Sequence, residues 1–141
     1  MNNLESRTCD IFCAVIDNFG DAGVCWRLAR QLATEHDWQV RLWIDDPAPI
    51  TLLAPEQNIV EVRQWEGDFI GVETAQVVIE AFACTLPSAY VAAMAKQARP
   101  PVWLNLEYLS AEDWVAGCHG LPSPHPPLVK HFFFPGFVSG T

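Results

Sequence analysis

Apolar residues along the chain change their spacing several times, and each change marks an element. The stretch Cys9-Asp10-Ile11-Phe12-Cys13-Ala14-Val15-Ile16 is a short apolar run that meets Gly20 and Gly23 too soon to be a long helix. It is predicted to be a buried strand. From Ala22 the spacing lengthens to about 3.6 residues, with Val24, Cys25, Leu28, Ala29 and Leu32 on one stripe and Arg27, Arg30 and Gln31 largely off it. That pattern predicts an amphipathic helix capped by Asp21. Gln39 to Ile44 forms a second strand, stopped at Asp45-Asp46-Pro47-Ala48-Pro49 because proline cannot extend a ladder. A strand, a helix and a strand joined by a tight first turn imply parallel pairing and a right-handed crossover.

Further along, Ile50 to Leu53 predicts a short helix and Ile59 to Val62 a short strand. Gln76 to Glu80 is a strand, Leu86 to Lys96 an alanine-rich helix with Pro87 in its first turn, and Pro101 to Leu106 another strand. The fold class is therefore α/β: a doubly wound, Rossmann-like layer around a parallel sheet. A helical turn is expected near Ser110 to Val115, and Gly117 to Pro127, with four prolines and two glycines, reads as a stiffened loop.

The chain then closes with Lys130-His131-Phe132-Phe133-Phe134-Pro135-Gly136-Phe137. Fully burying one Phe stabilises by roughly 1.5 to 3 kcal/mol, so at least two of the four rings are expected to pack on the layer. A strand would turn Phe132 and Phe134 inward and Phe133 the other way. Phe137, beyond Pro135 and Gly136, would mark the exit toward another domain. Residues 1–134 are thus expected to form one domain, and 135–141 the start of a linker to a domain the sequence does not contain.

Composition narrows the partners. The 141 residues carry 17 acids against 8 Lys plus Arg, a net charge of -9, and half of them are hydrophobic. A chain of this length buries roughly two-thirds of its unfolded surface, enough for a core without disulfides or metals. The scattered basic residues leave no footprint for a phosphate backbone, so nucleic acid is not an expected partner, and the field suits a cationic group instead. No apolar run reaches the roughly 18 to 20 residues that span a bilayer, and Met1 to Asp10 is too polar for a signal peptide. With Cys9, Cys13, Cys25, Cys84 and Cys118 odd in number and mostly in apolar segments, reduced thiols in a cytoplasmic protein are expected.

Two clusters could carry chemistry. The turn Asp17-Asn18-Phe19-Gly20-Asp21-Ala22-Gly23 puts two carboxylates four residues apart at the carboxyl end of the first strand, the edge where open α/β sheets bind ligands. Asp21 as a helix cap and Asp17 as a turn-former would be the ordinary structural reading. On composition alone that reading would win, but it does not use the coincidence of two acids, two glycines and an aromatic in one loop at that edge. The glycine spacing is not the dinucleotide fingerprint, and an Asp at the helix start repels a pyrophosphate, which disfavours a nucleotide-dependent oxidoreductase. The second cluster, Asn105-Leu106-Glu107-Tyr108-Leu109-Ser110-Ala111-Glu112-Asp113-Trp114, again follows a strand. Ser110 with Asp113 resembles a helix-start box and Trp114 is expected to pack, which leaves Glu107 and Tyr108 for binding. Cys118, His119, His125 and His131 match no common zinc spacing, so no metal site is expected.

Asp10-Ile11-Phe12-Cys13 followed by Asp17 through Leu32 resembles the amino-terminal signature of the EarP family, the bacterial elongation factor P arginine rhamnosyltransferases. Asn105 to Trp114, and Gly117-Cys118-His119-Gly120-Leu121-Pro122-Ser123-Pro124 through Phe132-Phe133-Phe134-Pro135-Gly136-Phe137, look like two more signatures in the right order. The resemblance implies the amino-terminal, acceptor-side half of a GT-B glycosyltransferase. Its missing carboxy-terminal half would hold the donor dTDP-β-L-rhamnose, and L-rhamnose would pass with inversion, and without metal or other cofactor, to an arginine of elongation factor P. Asp17 and Asp21 fall on the family's catalytic aspartates, one acting as general base and the other as orienting partner, with Asp21 assigned as the base and exchanged roles open. Asn18, Phe19, Gly20, Glu107 and Tyr108 are the expected substrate-binding residues. A chain lacking the donor half is expected to be inactive alone. The alternative is a non-catalytic Rossmann-like module that docks a basic protein segment.

Overall fold

Strands buried on both faces pair in parallel, and the computed structural model, which describes residues 7–15, 20–65, 72–108 and 110–135, builds such a sheet. β1 (Thr8–Cys13) leads into α1 (Gly20–Glu35) and β2 (Gln39–Ile44), and α2 (Ala48–Leu53) leads to β3 (Glu61–Gln64). β4 (Val77–Ala81), α3 (Ser88–Ala95) and β5 (Val102–Leu106) follow, then α4 (Trp114–Cys118), β6 (Pro122–His125) and β7 (Leu128–Phe133). Among the described residues the sheet has seven strands in the order β3-β2-β1-β4-β5-β7-β6. All pairs are parallel except β6 with β7. The winding reverses between β1 and β4, which makes the carboxyl ends of these two strands the topological switch point.

Each face has its own core. On one, Ala22, Cys25 and Ala29 of α1 pack with Ile11, Leu42 and Ile79. On the other, Tyr90 and Met94 of α3 pack with Phe12, Val78 and Trp103, and Phe12 stacks on Trp43 at 6.0 Å. Among the described residues, Asp10 and Glu80 are charges inside these layers, and both are paired. Asp10 accepts from Arg41 Nε and Nη2 and from the Tyr90 hydroxyl, each at 2.6 Å. Glu80 accepts from Trp103 Nε1 and Lys130 Nζ, each at 2.9 Å, which ties β4 to β7 across β5. Removing one partner of such a pair costs about 3 to 5 kcal/mol, because the other charge stays buried.

Several local expectations are corrected by packing. The helix begins at Gly20, so Asp21 lies in its first turn and is not the cap. Val24 of the expected stripe is 45% exposed, while Trp26 takes a buried place, because α1 is rolled so that Ala22, Cys25, Trp26 and Ala29 meet the sheet. The helical turn expected near Ser110 to Val115 forms later, as α4, and Trp114 is exposed, meeting Phe134 edge-on at 5.8 Å. The proline-rich segment is not all loop: Pro122–His125 is the edge strand β6, a position where missing backbone donors are tolerated.

The phenylalanine tail keeps the expected alternation without the expected depth. Phe132 and Phe134 are half-buried and Phe133 is exposed, on a strand with only the edge strand β6 beyond it. Phe137 lies outside the described residues. No helix among the described residues is long and apolar enough to cross a membrane.

All five cysteines are free, with Cys9, Cys13 and Cys25 buried and Cys84 and Cys118 half-buried. Burial pushes the Cys9 thiol and the Tyr90 phenol well above their ordinary ranges and Cys84 up to about 12, while a hydrogen bond with Cys13, together with burial, raises Cys25. These groups stay protonated in the fold at pH values where they ionise in the unfolded chain, so the unfolded state binds fewer protons. Stability is therefore expected to be full below about pH 8 and to fall steadily between about pH 8.5 and 11. Denaturation midpoints across that range, measured under reducing conditions, check this; a flat profile would contradict it.

Candidate active site

The carboxyl edge at the switch point is assembled from four strand ends and the start of α1. Val15, just past β1, donates its N–H to Asp45 Oδ1 at 2.7 Å, which anchors the chain as it leaves the strand. Asp21, in the first turn of α1, is only 6% exposed and accepts a hydrogen bond from the Tyr108 hydroxyl at 2.9 Å. A carboxylate there is also favoured by the positive end of the helix dipole. The Tyr108 ring in turn lies flat on Phe82, with centroids 4.1 Å apart and planes 10° from parallel.

Phe82 sits on a turn that its sequence does not favour. Phe82 and Ala83 have φ of 56° and 58°, the left-handed region, and the Cys84 N–H closes the turn onto the Ala81 carbonyl at 3.2 Å. Each such residue without glycine's freedom costs about 1 to 2 kcal/mol. The turn is held from β5: Phe82 donates to the Leu106 carbonyl at 2.6 Å, and Ala83 donates to Asn105 Oδ1 at 2.9 Å. The same amide donates through Nδ2 to Glu107 Oε1 at 2.6 Å. Reversing the amide would set NH₂ against N–H and oxygen against carboxylate, so chemistry dictates its orientation. Asn105 is 1% exposed and bonded at both ends.

This edge offers two carboxylates, a phenol and a stacked aromatic pair. Among the described residues, no second partner is bonded to Asp21 Oδ1 or Glu107 Oε2. Such a set suits a planar cation, which can lie on a ring face while its N–H groups meet carboxylate oxygens. A groove of about 750 Å³ lies at the opposite, amino-terminal edge, lined by Trp38, Arg41, Glu61 and Glu73 among others. The cation among its described lining residues is already engaged: Arg41 is bound twice by Asp10 and once by the Glu73 carbonyl. No cluster of three or more metal-ligating side chains occurs among the described residues.

A family model described as "Elongation-Factor P (EF-P) rhamnosyltransferase EarP" matches residues 9–141. The chain belongs to the EarP family. Proteins named protein-arginine rhamnosyltransferase are similar to it in Pseudomonas putida (58% identity over 95% of this chain), Pseudomonas aeruginosa (54% over 91%) and Shewanella oneidensis (47% over 94%). The alignments cover 38%, 37% and 38% of those relatives, so the chain spans under two-fifths of their length.

Within this EarP chain the residues singled out from sequence divide into three groups. Asp17, Asn18 and Phe19 lie outside the described residues. Asp21 and Tyr108 are brought into contact across 87 positions of sequence, although Asp21 is a buried helix residue and not part of an exposed loop. Gly20 opens α1, and Glu107, adjacent to Tyr108, turns instead to Asn105. Sequence reasoning missed Asp45, Phe82 and Asn105. A buried Asn at a strand end must bond something, which was a usable signal. The Phe82–Ala83 turn had none, since it lacks the Gly or Asn that such turns usually carry.

Because Ala83 pays the left-handed penalty that glycine avoids, Ala83→Gly is expected to stabilise the fold by about 0.5 to 1 kcal/mol, after allowing for glycine's greater unfolded-state entropy. A rise in the urea midpoint at unchanged slope would show it; a fall would mean the turn is not strained.

Proposed function

We propose that this chain forms the acceptor-side half of an inverting, GT-B protein-arginine rhamnosyltransferase. It transfers L-rhamnose from dTDP-β-L-rhamnose to an arginine of elongation factor P in the cytoplasm, where its free cysteines stay reduced. The observation that carries the reading is the carboxylate of Asp21, held at the switch-point edge against Tyr108, in a chain whose relatives bear that name. The donor nucleotide belongs mainly to a carboxy-terminal domain of the longer protein, with 135–141 beginning the connection.

A guanidinium stays protonated in proteins, so its nitrogen must be oriented and relieved of a proton as it becomes a nucleophile. One nitrogen attacks the anomeric carbon, the bond from that carbon to the diphosphate oxygen breaks, and dTDP leaves with the bonding electrons. The nitrogen's proton passes to the Asp21 carboxylate, while Asp17 holds another edge of the planar group; the two roles can be exchanged. Attack from the face opposite the nucleotide gives inversion, and no metal is needed for any of these steps. Glu107 and the ring of Tyr108, with Asn18, Phe19 and Gly20 of the first turn, bind the acceptor side chain.

In the full-length protein, Asp21→Asn keeps the shape and the Tyr108 bond but removes the base, and is expected to lower kcat by about a hundredfold or more with the thermal midpoint nearly unchanged. Residues 1–141 alone are expected to transfer no rhamnose. Mass spectrometry of elongation factor P after incubation with donor checks both. Full transfer by Asp21→Asn would remove that residue from the chemistry, and binding of elongation factor P with no transfer by the wild type would favour a non-catalytic docking module.

A further inference from the structure

The amide of Asn105 bonds two groups that recognition of a cation would require to be held at one spacing. One end receives the Ala83 N–H of the turn that carries Phe82, and the other gives a hydrogen to Glu107. Backbone accounting explains the first bond, because the Ala83 N–H is part-buried and needs an acceptor. It does not explain the second. Glu107 is only half-buried, and water could solvate its carboxylate without help from a buried side chain. Committing a 1%-exposed amide to that carboxylate restricts where its free oxygen lies. The turn at the other end is equally restricted, since Phe82 and Ala83 would relax from φ of 56° and 58° if their hydrogen bonds were lost.

We propose that Asn105 is a positioning residue for the acceptor guanidinium, setting the Phe82–Tyr108 aromatic pair and the Glu107 carboxylate at one fixed spacing. This rests on the acceptor reading above and deepens it. Phe82 enters the site through its stack with Tyr108, and Asn105 touches no substrate. A planar cation gains from a ring face and a carboxylate together only when both stand at the right distance. The amide links them in a single rigid group.

The test is Asn105→Asp in the full natural chain, with binding of elongation factor P followed by calorimetry. The substituted side chain still accepts from Ala83 but faces Glu107 with a second carboxyl group. Two carboxylates so close share a proton at low pH and repel when both ionise. At about pH 8 the acceptor Kd is expected to weaken about tenfold or more. At about pH 5.5, where the shared proton restores a donor, it is expected to return toward wild type. The donor KM stays unchanged. Asp21, Asp45, Tyr108 and Cys84 at this edge, and His119 against Phe133 of β7, are present in both proteins and cancel in the comparison.

An Asn that only supported the fold would weaken binding at pH 8 in step with a fall in the thermal midpoint at that pH; a Kd loss fully accounted for by unfolding, or an unchanged Kd at pH 8, overturns the proposal. The double variant Asn105→Asp/Glu107→Gln reverses the polarity of the bond without repulsion. It is expected to fold even if the single variant does not, and to bind at one affinity across the range; a persistent pH swing would count against the proposal. Wild-type binding without transfer would defeat the transferase reading and leave this one standing. Wild-type binding that ignores an Arg→Ala change in elongation factor P would defeat both.

Discussion

A parallel strand buried on both faces can place polar groups safely only where another side chain answers them or where the strand ends. That constraint organises the molecule. In the middle of β1, Asp10 is tolerated because Arg41 takes both its oxygens and Tyr90 adds a third bond. In β4, Glu80 is tolerated because Trp103 and Lys130 cover it. The candidate site lies at the carboxyl edge, where the winding reverses between β1 and β4.

At that edge three elements distant in sequence are linked by a short chain of contacts. Asp21 on α1 receives the Tyr108 hydroxyl, Tyr108 lies on Phe82, the Phe82–Ala83 turn is bonded by Asn105, and Asn105 bonds Glu107. The strain in the turn and the burial of the amide make the arrangement stiff. Under the proposed acceptor role, that stiffness would hold a flat guanidinium in place while one of its protons leaves. The buried ion pair between Glu80 and Lys130 supports this from below, because it secures β7, whose Phe133 carbonyl receives the Glu107 N–H at 2.9 Å.

Asp21 illustrates how burial changes the meaning of a motif. As a loop residue it would be one solvated carboxylate among many on a chain of net charge -9. In the first turn of α1, shielded and bonded to one phenol, it is a carboxylate with a defined oxygen engaged and the other without a partner among the described residues. The same comparison separates Glu107 from Glu112, which bonds Trp114 at the exposed surface.

The sequence by itself determined the strands at Gln39–Ile44 and around Ile11, Val78 and Leu104, and the helices between them, because their period reflects which faces must leave water. It also determined that Asp21, Glu107 and Tyr108 would follow strands at the carboxyl edge of the sheet, since a βαβ path can return only one way. Tertiary structure alone decided the roll of α1 that exposes Val24 and buries Trp26, the edge strand hidden in a proline-rich stretch, and the half-burial of Phe132 and Phe134. It alone decided that Asn105 and Phe82 belong to the site. Each of these depends on a neighbour that is near in space and far along the chain, and local pattern holds no record of such a neighbour until the sheet is assembled.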